Sequence, residues 1–296
     1  MTNNAYLQSI LDAQSVHSDG QELKDLRAVR KDIETLIAAE FSDCNPRIRY
    51  GGSKAKGTMN LVDYDLDILC YFPRNDTPAG KTIKEIYENV QATLGRKYRV
   101  DPKTTALRVK DDERDLHIDV VPGRFIDDSD TDAYVHQNGR PQEKGWLKTN
   151  LDRHVYYVIE SGCVPEIRLA KIWRHCAGVS VRTFPLELLV INILKTADVD
   201  GLDNRFTEVL EQFRDKIHSL SITDPANEGN DLSDALSPSV RTAISAAAAA
   251  TLRTASSAGW AAVFGKVMST TEPAREQAFR AAIITNQNRT QPWRIA

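Results

Sequence analysis

A chain of 296 residues with 38 basic and 41 acidic side chains is long enough for two lobes, and its formal charge of -3 offers no global positive field for a nucleic-acid polymer. No apolar run approaches the roughly 20 residues of a membrane span, and the polar start Met-Thr-Asn-Asn lacks a signal-peptide layout, so a cytoplasmic protein without a membrane partner is expected. Cys44, Cys70, Cys163 and Cys176 are scattered without a CxxC pair, which argues against a structural zinc and fits a reducing compartment.

Tyr6, Leu7, Ile10 and Leu11 recur at helical spacing and predict a short helix within residues 1–20. From Gln21 to Phe41 the residues Leu23, Leu26, Val29, Ile33, Leu36 and Ile37 mark one face of a long amphipathic packing helix. Pro46 closes the connection, and Arg47 to Tyr50 should be a first strand. The next stretch, Gly51 to Thr58, reads as a glycine-hinged turn. Its paired glycines permit backbone conformations closed to other residues and let a phosphate approach main-chain amides, while Ser53 adds a hydroxyl.

That turn leads into a strand from Asp63 to Phe72 carrying a carboxylate at every second position. Successive strand residues face opposite ways, so Asp63, Asp65 and Asp67 share one side and Tyr64, Leu66 and Ile68 the other. Like charges within about 7 Å on one face repel unless a cation offsets them. Asp is also a poor strand former, so a divalent-metal site is the first reading and a solvated polar edge the alternative.

Lys81 to Leu94 has the period of a helix, and Arg99 to Val109 should return as a strand. In Asp115 to Val121, Leu116, Ile118 and Val120 alternate with His117 and Asp119, so Asp119 brings a further carboxylate from a second strand. Residues 127–145 read as a loop. Beyond them the chain turns helical, with helices expected over Glu166–Cys176, Pro185–Thr196, Arg205–Leu220, the alanine-rich Ser237–Ala255 and Glu272–Thr285. A turn is expected at Asp224–Asn227 and a loose tail from Asn286.

Gly52, Ser53, Asp65, Asp67 and Asp119 together resemble the Gly-Ser, Asp-x-Asp and distal-Asp pattern of the DNA polymerase β-like nucleotidyltransferase superfamily. A narrower resemblance points to the branch holding bacterial CD-NTases, cyclic GMP-AMP synthase and oligoadenylate synthase. It rests on the Gly-Ser-x-x-x-Gly-Thr run from Gly52 to Thr58 and on Ile118-Asp119-Val120-Val121-Pro122. Arg168 to Trp173 is similar to a helix whose lysine binds nucleotide phosphates, Thr183 to Leu189 to a Ser-Tyr-x-Leu-Glu-Leu-Leu element, and Ile222 to Pro225 to a late Asp-Pro turn. Thr183 stands where that branch has serine, and Pro185 is unusual there.

The resemblance implies an α+β fold, a polymerase β-like sheet with flanking helices over residues 1–145 and a mostly helical lobe over residues 146–296 that closes the nucleotide pocket. It implies that Asp65 and Asp67 ligate magnesium, or manganese in its place, and that Asp119 joins them at a second ion. Gly52, Ser53, Lys171 and Thr183 would hold phosphates, and Asp224 would read a base edge. The implied activity makes a cyclic di- or trinucleotide from NTPs in bacterial antiphage signalling of the CBASS type, with a nucleotide-activated effector as partner through the product.

Two other functions compete with it. A transferase acting on RNA or tRNA ends needs a basic track that this composition does not announce, and a degenerate nucleotide-binding module has no need of all three carboxylates. The Cys and His spacing offers no zinc module for animal-type DNA sensing. Asp63 reads as a bystander, His117 as structural or solvated, and Lys54 and Lys56 as surface lysines. The terminal Trp293-Arg294-Ile295-Ala296 reads as simple disorder from its residues, and the resemblance to CD-NTases adds attachment to another molecule through this terminus as an alternative.

Overall fold

The computed structural model describes residues 1–16, 21–62, 66–114, 116–139 and 145–265. The chain forms two compact units, one of residues 17–56 with 65–155 and the other of residues 1–16, 57–64 and 156 onward.

The first unit is built on a sheet. Among the described residues, β1 (Arg47–Tyr50), β2 (Asp67–Phe72), β3 (Arg99–Pro102), β4 (Leu107–Asp111), β5 (Leu116–Phe125), β6 (Ala133–His136) and β7 (Trp146–Thr149) form seven strands of one sheet. The order is β1-β2-β5-β4-β3, with β6 paired to both β5 and β7. β2 and β5 run parallel, while β1 pairs with β2 and β4 with β5 antiparallel. From Ile68 to Phe72, β2 is buried on both faces, as its continuous apolar run requires.

The long helix expected from Gln21 is α2 (Gln21–Glu40), and its predicted stripe of Leu23, Leu26, Val29, Ile33 and Ile37 is buried. A short helix, α3 (Gly52–Lys56), takes the place of the expected glycine turn. Further along, α4 (Ile83–Leu94) starts at a reciprocal cap: the Thr82 hydroxyl accepts from the Glu85 amide, and the Glu85 carboxylate accepts from the Thr82 amide.

Three strand expectations change. Arg99–Val109 is not one strand, because the chain folds back at Lys103, whose amide donates to the Ala106 carbonyl, and yields β3 and β4. Part of the expected loop over 127–145 is β6, four residues too short to show a period. Residues 146–149, expected to open the helical lobe, form β7, the neighbour of β6.

The second unit is helical. Its described elements are α1 (Asn3–Ala13), α6 (Val164–Cys176), α7 (Thr183–Leu194), α8 (Leu202–Lys216), α9 (Pro238–Ala258) and α10 (Trp260–Phe264), with a hairpin of β8 (Thr223–Asp224) and β9 (Asn227–Asp231). α5 (Leu151–Glu160) carries the chain into this unit. Trp173, Phe206 and Phe213 centre its core, and the Trp173 indole donates to Thr251 Oγ1 at 2.9 Å. α7 is buried along nearly its whole length, including the charged Glu187. Along the alanine run of α9, Ala248 is buried while Ala246 and Ala250 are exposed. The expected helix over Glu272–Thr285 and the tail ending at Trp293–Ala296 lie outside the described residues. No described helix is long and apolar enough to cross a membrane.

Candidate active site

The site is assembled where β1 runs into α3 and where β2 lies against β5. The Gly51 amide donates to the Asp67 carbonyl at 2.9 Å, so the glycines are tied to the head of β2. Gly52 has φ +50, and a Cβ built there would stand 1.6 Å from Asp67 Oδ2. Glycine is therefore required twice at this position, once by conformation and once by space. The backbone of Gly52 lies directly against the Asp67 carboxylate, and Ser53 follows it, buried, in the first turn of α3.

Parallel register sets the second carboxylate. Asp67 pairs with Asp119 across β2 and β5, and the Asp119 amide donates to the Leu66 carbonyl at 2.9 Å. Neighbouring strands lie about 4.8 Å apart, so paired residues project from one face side by side. On the other side of Asp119, β4 places Arg108 in register with it. The guanidinium donates from Nε to Oδ1 at 2.7 Å and from Nη2 to Oδ2 at 2.8 Å. Asp67, Asp119 and Arg108 thus form one row across three adjacent strands.

Asp119 is 8 % exposed, and a carboxylate so buried requires a compensating cation. Arg108 supplies one in a bidentate geometry suited to a planar carboxylate. His117 lies two residues before Asp119 on the same face of β5 and is buried. Desolvation first, then the positive charge of Arg108, pushes its imidazole down to about 4. It is therefore a neutral, packed residue, in line with the structural reading.

Asp63 and Asp65, the first two residues of the aspartate series, lie outside the described residues, and β2 begins at Asp67. Among the described residues there is no group of three His, Cys, Asp or Glu placed to hold a metal. The donor chemistry nevertheless fits a hard divalent ion: two carboxylates sit side by side on paired strands, with a glycine leaving open the space a Cβ would take from one of them.

The remaining candidates belong to the helical unit. Lys171, on α6, is only 1 % exposed, and its ammonium donates to the Thr58 carbonyl at 2.8 Å. It is no solvated helix lysine. Thr183 is the first residue of α7, half-buried, and its hydroxyl accepts from Arg174 Nη1 at 3.1 Å. Asp224, buried in β8, accepts from the Ala226 amide at 2.9 Å, closing its own hairpin turn. Lys56, expected at the surface, is buried at the end of α3, whereas Lys54 is half-buried.

Arg108 escaped the sequence reading. Alternation marks it as the polar residue between buried Leu107 and Val109, but its partner emerges only from the pairing of β4 with β5. Thr58, Asn60 and Glu187 escaped too. A carboxylate inside the apolar run of α7 was the signal that could have flagged Glu187.

No protein-family model matches the chain. No curated protein matches it either. Its fold does have counterparts: the chain has the α+β fold of the CD-NTases, the class that includes the di-nucleotide cyclase DncV. DncV of Vibrio cholerae, in a mutant form with ATP and GTP, matches with a TM-score of 0.71 at 15 % identity over 90 % of this chain and 97 % of that one. CdnC of E. coli MS115-1 with ATP matches with a TM-score of 0.65 at 20 % identity over 91 % and 99 %. The CD-NTase CdnG of Bradyrhizobium diazoefficiens, in complex with GTP, matches with a TM-score of 0.67 at 12 % identity over 95 % and 98 %.

Proposed function

We propose that the chain is a metal-dependent nucleotidyltransferase that joins NTPs into a cyclic di- or trinucleotide. The observation that carries this reading is the pairing of Asp67 with Asp119 across β2 and β5, with the Gly52 backbone packed against Asp67. The likeness in fold to proteins solved with ATP or GTP supports it.

In this reading Asp65, Asp67 and Asp119 hold divalent ions, magnesium or manganese. Bound there, such ions would offset charge on the triphosphate and on the attacking and leaving oxygens. The residues of the chain supply the rest. Gly52, lacking a Cβ, lets the Asp67 carboxylate lie against the backbone of the turn, and Ser53 with the neighbouring amides contacts phosphate oxygens. The resemblance further assigns phosphate contacts to Lys171 and Thr183 and a base-edge contact to Asp224; for Lys171, which is buried on the Thr58 carbonyl, that role requires the ammonium to leave this partner. A ribose hydroxyl attacks the α-phosphorus, the bond from that phosphorus to the bridging oxygen breaks, and pyrophosphate leaves. Repeating the transfer within the linear product closes the ring.

By the same likeness we assign the product to bacterial antiphage signalling of the CBASS type, acting in the cytoplasm through a nucleotide-activated effector. One CdnC structure is a complex with a HORMA protein, and a protein of that kind is a further partner to seek. Incubation with all four NTPs and magnesium or manganese, phosphatase treatment and mass analysis tests the activity. A phosphatase-resistant cyclic product is expected. Extension of added RNA in place of a cyclic product would overturn the reading.

A further inference from the structure

Strand register carries the row of Asp67, Asp119 and Arg108 one place further, because β3 sets Asp101 opposite Arg108. The four side chains stand on one face of four adjacent strands. Their charges are not evenly shared. At the outer end Asp101 is engaged by Lys110, whose ammonium lies 2.5 Å from Oδ2 in a partly exposed pair. The Arg108 guanidinium reaches the other way and holds both oxygens of Asp119. That pair is buried, so water screens its charges little.

A carboxylate binds a hard divalent ion through its negative charge. Here a permanent positive charge sits on one of the two described carboxylates proposed to do so, and an arginine keeps that charge at any working pH. Asp67, Asp119 and Arg108 together carry one net negative charge, where the two carboxylates alone would carry two. The fork nevertheless leaves room for a metal. Two carboxylate oxygens offer about four acceptor directions, of which the guanidinium uses one on each oxygen.

We propose that Arg108 sorts the metal–nucleotide complex from the free divalent ion. A free ion is a cation and is repelled. Its complex with a triphosphate is an anion overall, because the phosphates carry more negative charge than one ion offsets, and it is attracted. The guanidinium thereby keeps the nucleotide-free site poor in metal while its fork fixes the plane of the Asp119 carboxylate. Arg108 is a positioning residue in this scheme and acts through Asp119. The inference rests on the reading of Asp67 and Asp119 as metal ligands.

The test measures binding of Mn2+ alone, by electron paramagnetic resonance, and of Mn2+ with a non-hydrolysable ATP analogue. Arg108→Gln removes the charge, whereas Arg108→Lys keeps it and loses the fork. Both are compared with the parent at a temperature where circular dichroism shows them folded. Even with the screening of bulk water, one unit charge beside a divalent ion is worth about tenfold in a binding constant. Arg108→Gln should therefore bind free Mn2+ at least about tenfold more tightly than the parent and the Mn2+–analogue complex more weakly, with Arg108→Lys within about threefold of the parent for both. A purely structural Arg108 gives the opposite sign for the free ion, because a misplaced Asp119 binds metal less well. Lys110→Gln is the second probe. It breaks only a partly exposed pair, leaves Asp101 to compete for Arg108, and should tighten free Mn2+ binding by about threefold.

Unchanged or weaker binding of free Mn2+ in folded Arg108→Gln would overturn the proposal, and Lys110→Gln decides in the same way should Arg108→Gln fail to fold. An equal gain in Arg108→Lys, or an equal gain for the free ion and the complex, would overturn it too. The underlying reading fails separately: if Asp67→Asn leaves Mn2+ binding by the parent unchanged, these carboxylates do not hold the ion, whatever the Arg108 variants do.

Discussion

Asp67 and Asp119 come together because two parallel strands align them residue for residue, whereas Thr58 and Asn60 are held by side chains from α6 and α7. In the sheet unit, backbone geometry places charge, and one guanidinium balances it. In the helical unit, polar groups are buried one by one, each against a named partner. The contrast shows two ways to order a polar group away from water. A ladder fixes its direction through neighbours on both sides, while a segment without a ladder relies on side-chain partners, as Thr58 does on Glu187 and Lys171 and Asn60 does on Arg168.

The largest effect on stability should come from breaking the charge row. Arg108→Gln leaves the buried Asp119 carboxylate without its cation, and removing one member of a buried pair costs about 3–5 kcal/mol. The side chains of the pair are 8 % and 11 % exposed, so solvent screens little of that. Thermal unfolding without metal should show the loss, and added Mn2+ should restore more stability to the variant than it adds to the parent. An Mn2+ effect equal in the two proteins would separate Arg108 from the metal reading.

Gly52 and Gly57 sharpen the comparison at a smaller scale. Both have positive φ, at +50 and +70, but an added Cβ collides with Asp67 at the first and meets nothing within 4 Å at the second. Gly57→Ala should lower stability by about 1–2 kcal/mol from the left-handed backbone alone and keep its activity once folded. Gly52→Ala must in addition move the Asp67 carboxylate, and it should lose at least about tenfold in product formation. Equal activities for the two folded variants would show that the space beside Asp67 is not needed. Smallest of all, Thr251→Val removes the Trp173 indole bond in the helical core and should cost about 1 kcal/mol in denaturant unfolding, with no change in products.

Legibility followed the same divide. α2, α4, α6 and α8 were readable because a stripe of apolar residues repeats with the turn of a helix, and Asp119 because Leu116, Ile118 and Val120 alternate around it. α3 was not readable: two glycines and a serine are turn residues, and five residues are too few to show a period. Arg108 became visible only with strand register, which depends on pairing between segments distant in sequence. The segment from Gly57 to Val62 was the least legible. Gly57, Thr58 and Asn60 look like a solvated loop, and nothing local says that Glu187 and Arg168 lie in wait for them.

The central claim is that Asp67 and Asp119 act together on a nucleotide. Product formation from NTPs with Mn2+, measured for Asp67→Asn and Asp119→Asn beside nucleotide affinity and melting temperature, tests it most directly. Each variant should bind nucleotide below its melting temperature, which Asp119→Asn lowers because Arg108 loses its counter-charge, yet lose about a hundredfold or more in product, as expected when a charge-stabilising group leaves an active site. A folded Asp67→Asn that forms product at the parental rate would contradict it.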